Sequence, residues 1–174
     1  FVIYPAGGYS SRTGLEFGLM PVFSWHASES SGGFVSSLLG TVQFSTNGML
    51  ELRSELDWYQ GVKWQIQAAL GYQRVSDRFW GTYNTDGNGD GVSYISRRTS
   101  GSMRFMRQLS GKFYGGLLSR FDGFSYSGLF DDVHSDLAYG YSIGSGPVLL
   151  FDSRNHVFYP QRGCFFTAQL TRFG

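Results

Sequence analysis

Between Leu50 and Trp58 the chain reads LELRSELDW, with Leu50, Leu52, Leu56 and Trp58 alternating against Glu51, Arg53, Glu55 and Asp57. Residues two apart in an extended chain share a face, so this stretch predicts a strand with one apolar and one charged side. The following segment, VKWQIQAALGYQ, repeats the scheme: Val62, Trp64, Ile66, Ala68, Leu70 and Tyr72 fall on one side, and Lys63, Gln65, Gln67 and Gln73 on the other. Extended along the chain, the reading gives eight strands: Gly14–Trp25, Phe34–Ser45, Met49–Trp58, Val62–Gln73, Val92–Gln108, Lys112–Phe121, Tyr139–Asp152 and Gly163–Phe173. Asn47-Gly48 suits a type I′ hairpin turn because both residues tolerate positive φ. Tyr59-Gln60-Gly61 is a second short link, whereas HASESSGG, SDRFWGTYNTDGNGDG and DGFSYSGLFDDVHSDLA are long and polar. Tight turns alternating with long loops predict an antiparallel up-and-down sheet.

Most of these strands exceed the roughly 5–6 residues usual in soluble sheets and approach the roughly 9–11 that cross a bilayer at a tilt. Aromatic residues gather near their ends, at Phe23, Trp25, Trp58, Tyr59, Tyr72, Phe121, Phe151 and Phe173, as interfacial girdles do. The expected fold is therefore all-β: an antiparallel up-and-down transmembrane β-barrel, with about 8 strands in residues 1–174. Its leucines would face lipid, and Glu51, Arg53, Glu55, Asp57, Lys63, Gln65 and Gln67 would face the lumen. A soluble ligand-binding barrel would invert this arrangement, and alternation alone does not say which face is inside.

Composition agrees with strands and turns. Glycine accounts for 25 of 174 residues, about twice its average share, and aromatics for 18% against only 4 prolines. No uninterrupted apolar run approaches the roughly 18 residues of a spanning helix, and mean hydropathy is −0.18, so any spanning falls to strands. A net charge of +1 gives no reason to expect a nucleic-acid partner. The single cysteine, Cys164, reads as a small apolar filler without an internal disulfide partner. The chain opens at Phe1 without a basic n-region or apolar h-region, which fits either a processed chain or a fragment.

Several stretches together resemble the bacterial surface antigen (BamA-like) family of outer-membrane assembly-factor barrels. FDSRNHVFYPQRGCFF is similar to that family's pattern of a strand ending in Asp-x-Arg, a turn, and Pro-x-x-Gly opening the next strand, with Asp152, Arg154, Pro160 and Gly163 in the four positions. GYSSRTGLEFGLMPVFSW resembles the family's first barrel strand, DRFWGTYN its aromatic-aromatic-Gly loop, and MRQLSGKFYGGLLSRFDG its central hairpin. These pieces occur in the family's order, but neither a closing strand nor a Val-Arg-Gly-Phe lid motif follows them. The resemblance thus implies the N-terminal half of a larger, about 16-stranded barrel in the bacterial outer membrane, engaged in protein insertion or translocation. It also implies that Gly14–Trp25 is a lateral seam that templates incoming strands, with Gly14, Gly18 and Pro21 weakening it. The alternative is a structural or pore-forming barrel acting as an accessory subunit. Expected partners are outer-membrane lipids and either other membrane-protein subunits or the rest of the same barrel.

Chemistry beyond the wall finds little in the sequence. Asp152 and Arg154 can pair within the wall, Pro160 needs no ladder donor, and Gly163 permits positive φ, so a structural role is expected for all four. DGNGDG, Asp86–Gly91, opens like a calcium loop but has Arg97 where a bidentate Glu is required, so it reads as an exposed turn. His26, His134 and His156 stand apart, without metal-ligand spacing. No carboxylate pair is positioned except by alternation, so neither catalysis nor a metal or other cofactor is expected.

Overall fold

The computed structural model describes residues 1–26, 35–61, 63–79, 92–128, 139–154 and 161–174. They form one all-antiparallel, up-and-down sheet: β1 (Val2–Ser10), β2 (Gly14–Trp25), β3 (Ser36–Ser45), β4 (Leu50–Gln60), β5 (Trp64–Phe79), β6 (Val92–Ser110), β7 (Phe113–Ser127), β8 (Tyr139–Asp152), β9 (Phe165–Gln169) and β10 (Arg172–Phe173). Each strand from β1 to β8 pairs with its neighbours in sequence, and β9 and β10 both pair with β8. The sheet is not closed: among the described residues β1 and the β9/β10 pair are its two free edges.

Strands β2 and β8 have the expected bounds, while the rest of the sheet departs from expectation in three ways. Ten strands replace eight, because Val2–Ser10 adds a strand that its Pro5, Gly7 and Gly8 conceal. The expected last strand, Gly163–Phe173, is two short pieces interrupted at Leu170 and Thr171, where Leu170 donates its N–H to the Pro147 carbonyl at 3.2 Å. Finally, β5 and β7 run on to Phe79 and Ser127, since ladder pairing in these hairpins continues past the end of the apolar pattern.

Register settles which side chains share a face, because directly paired residues do so. One face carries Phe17, Leu19 and Phe23 of β2 and Leu38, Val42 and Phe44 of β3. It continues through Leu52 and Leu56 of β4, Ile66 and Leu70 of β5, Met103 and Phe105 of β6, Leu117 and Phe121 of β7, and Ile143 and Leu149 of β8. These residues are largely exposed, Leu70 at 67% and Leu117 at 66%. The opposite face holds the carboxylates of these strands. It also holds Met106, Leu118, Val148 and Leu150, which are buried although no second layer covers them.

Burial of large apolar side chains on that side alone means that the sheet curls towards it. The same curl lets Arg104 of β6 donate from Nη2 to Gln169 Oε1 of β9 at 3.2 Å, across β7 and β8. Three strand spacings in a flat sheet would separate those backbones by about 14 Å. Glycine makes room for the bend: a Cβ on Gly116 would overlap the Phe105 carbonyl oxygen, and one on Gly146 the Leu170 carbonyl. The polar face is therefore concave and the apolar face convex.

The charged concave face and its rim motif

The concave face is a set of hydrogen-bonded rungs. On β4, Arg53 and Glu55, two residues apart, form an ion pair at 2.6 Å. Gln67 of β5 donates to Asp57 at 2.8 Å, Gln65 to the Tyr59 hydroxyl at 2.9 Å, and Gln73 approaches Glu51 at 3.5 Å. The glutamines of VKWQIQ thus answer the carboxylates of LELRSELDW across the hairpin. Lys63 is the exception among the expected lumenal residues, because it lies in the β4–β5 turn and off the strands.

Strands β6 and β7 add charges that alternation on β4 and β5 did not reveal. Asp122 of β7 binds Arg98 of β6 at 3.0 Å and Arg120 of its own strand at 3.2 Å. Arg104 links Gln67, at 3.1 Å, to Gln169, so the chain Asp57–Gln67–Arg104–Gln169 crosses the concave side from β4 to β9. Arg104 Nε is shielded and has no hydrogen-bond partner among the described residues. Glu51, Arg53, Gln73, Arg98, Arg120 and Asp122 line an open trough on this face. Towards the β6–β7 turn the surface becomes apolar, with Tyr114 packed on Met106, Val148 and Leu150. The two-residue spacing of Arg120 and Asp122, like that of Arg53 and Glu55, was the available signal for the missed pairs.

At the end of β8, Asp152 and Arg154 form a fork. Arg154 Nε donates to Asp152 Oδ1 at 3.0 Å, Nη2 to Oδ2 at 2.8 Å, and the Arg154 backbone N–H to Oδ1 at 3.0 Å. The paired carboxylate raises the Arg154 pKa above its ordinary value. Its guanidinium also lies 4.4 Å from the Phe165 ring centroid. Arg154 stands beyond the end of the strand, so the fork is not made along an extended face. Tyr59, four strands away, lies close enough to feel both charges, another consequence of the curl. Gly163 has φ of +99°, and a Cβ there would overlap the Ser153 carbonyl oxygen. Ser153 and Cys164 bind each other at the neck, Ser153 N–H to Cys164 O at 2.9 Å and Cys164 N–H to Ser153 Oγ at 2.8 Å. Pro160, the Asp86–Gly91 loop, His134 and His156 lie outside the described residues. His26 is exposed, and no group of metal-ligating side chains occurs among the described residues.

The expected seam requires correction. Strand β2 is no edge, because β1 pairs with it from Val2↔Val22 to Ser10↔Gly14 while β3 holds its other side. Gly18 instead serves close approach, since a Cβ would lie 2.8 Å from the Val42 carbonyl oxygen. Pro21 does interrupt the β2–β3 ladder, where pairing skips from Leu19↔Val42 to Val22↔Leu39. Gly14, the first residue of β2, has a φ of +78°. No family model, curated protein or solved structure matches the chain.

Proposed function

We propose that the chain forms part of the wall of a transmembrane β-barrel in the bacterial outer membrane, of the surface antigen type, and takes part in inserting or translocating outer-membrane proteins. The observation that carries the membrane reading is the distribution of charge on the convex face. Every carboxylate in the described strands lies on the concave side, whereas on β6 the convex side runs Arg97, Thr99, Gly101, Met103, Phe105, Arg107. Arg97 and Arg107 are ten positions apart, about 34 Å along a strand. At a tilt of about 40° this uncharged stretch covers about 26 Å of depth, close to the roughly 25 Å apolar band of outer-membrane barrels. Its Arg107 end is aromatic: Trp64 and Phe105 stack at 5.1 Å, Arg107 lies 4.9 Å from the Trp64 ring, and Phe113 and Phe151 stack at 4.7 Å.

The assembly role rests on the resemblance of the Asp152–Gly163 motif and the segments that precede it. With β2 paired on both sides, the templating edge passes to β1, whose outer backbone groups have no partner among the described residues. The trough lined by Arg53, Arg98, Arg120 and Asp122 favours a second reading, a pore-forming or structural accessory barrel whose lumen passes small solutes. The full chain reconstituted in lipid vesicles separates the two. Faster insertion of an unfolded outer-membrane barrel into those vesicles supports the assembly role, and ion conductance without such acceleration supports the pore. A chain that is monodisperse in detergent-free buffer would end the membrane reading.

A further inference from the structure

On the concave face, strand arginines are neutralised by acids or held by amides: Arg53 by Glu55, Arg98 and Arg120 by Asp122, Arg104 by Gln67 and Gln169. The convex face departs from this rule. Arg74 of β5 and Arg97 of β6 are direct cross-strand partners, so their side chains leave the sheet side by side with Cβ atoms about 4.5–5.5 Å apart. Like charges in that relation repel, and no described carboxylate lies on their face to relieve it. Arg97 Nη1 donates to Ser127 Oγ at 3.0 Å, which fixes its guanidinium without neutralising it. Arg78, four positions along from Arg74, adds a third cation to the same face.

Their height is specific. Tyr72 and Thr99 form the neighbouring convex rung towards the apolar band, so the two arginines occupy the first rung beyond it. Across the roughly 26 Å band from Arg107, that level is where lipid phosphates lie. Guanidinium groups bind phosphate oxygens in pairs of parallel hydrogen bonds, and one phosphate between two guanidiniums converts their repulsion into shared attraction. We propose that Arg74 and Arg97 form a binding site for the phosphate of an anionic lipid headgroup, at the bilayer surface on the side of the β5–β6 connection. The site rests on the membrane reading above, and it adds a lipid preference that a wall needing only an apolar surface would not have.

The test uses the full chain and two kinds of vesicle, phosphatidylcholine alone and phosphatidylcholine doped with phosphatidylglycerol. The wild type is expected to associate with the doped vesicles roughly 30-fold more tightly, the contribution of two arginines at an anionic surface. Arg74→Gln/Arg97→Gln should lose most of that preference while still entering phosphatidylcholine, whereas Arg98→Gln/Arg120→Gln on the concave face should keep it. If the outer double variant fails to fold even in phosphatidylcholine, the single variants Arg74→Gln and Arg97→Gln carry the test, each with a loss of about 5-fold. Equal association of the wild type with both vesicles, or a preference that survives loss of the outer pair, overturns the headgroup site and leaves the membrane reading standing. Entry into neither vesicle overturns both. Suppression of the preference by inorganic phosphate at constant ionic strength, in the wild type but not in the outer-pair variant, would further support phosphate as the recognised group.

Discussion

Met103→Arg separates a lipid-facing wall from a water-facing one by magnitude alone. Met103 lies on the convex side of β6, four positions from Arg107 and six from Arg97, so it stands near the middle of the uncharged stretch. Four positions are about 13 Å along the strand and, at the tilt of a barrel wall, about 10 Å of depth. Its direct cross-strand partners are Ala68 and Ser119, and neither carries a charge to neutralise a new guanidinium. In a bilayer the substitution should cost about 2–4 kcal/mol, a shift in folding equilibrium of roughly 30-fold to nearly 1,000-fold. In water, a side chain already 52% exposed could be replaced within about 0.5 kcal/mol. Urea titration of the vesicle-bound chain, read by heat-modifiable gel migration, measures the difference. Gln73→Lys, on the concave face beside Glu51, serves as the control and should stay within about 0.5 kcal/mol. A Met103→Arg cost as small as the control's would refute the assignment of the convex face to lipid.

Other substitutions test the interior and the rim. In a double-mutant cycle of Asp152→Asn and Arg154→Gln, urea denaturation should give a coupling of about 1–3 kcal/mol, because either single change leaves a charge without its fork; zero coupling would contradict a structural role for the pair. Gly163→Ala should destabilise by about 1–3 kcal/mol and clearly more than Gly111→Ala, whose Cβ would meet nothing within 4 Å; equal effects would remove the steric explanation. Met106→Ala should cost about 2–5 kcal/mol by opening a cavity on the concave side, and a change below about 0.5 kcal/mol would mean that the sheet does not curl over it.

The alternation in LELRSELDW and VKWQIQAAL carries the face assignment of β4 and β5 in full, because a period of two survives any error in strand ends. Length was harder to read. RVSDRF and DGFSYS continue as strands beyond the apolar band, where pairing no longer needs a hydrophobic side and so leaves no pattern. Strand β1 escaped notice because VIYPAGGYS offers a proline and two adjacent glycines in place of alternation, and that omission moved the edge of the sheet to β2. The Asp152–Arg154 pairing was legible from spacing, but the bond from Arg104 to Gln169 was not: it joins residues 65 apart and exists only because the sheet bends. The outer pair of Arg74 and Arg97 likewise depends on register between β5 and β6, which a long polar connection leaves undetermined in the sequence.

The central claim is that the apolar convex face meets lipid while the charged concave face meets water. Environment-sensitive probes placed singly at Leu52, Leu70, Met103, Leu117 and Ile143, and at Glu55, Gln67 and Ser102, test it directly in reconstituted vesicles. Quenchers attached to lipid acyl chains should reach the first set, with the deepest quenchers most effective at Met103, while aqueous iodide should reach only the second. Iodide quenching of the first set, or acyl-chain quenching of the second, would contradict the account.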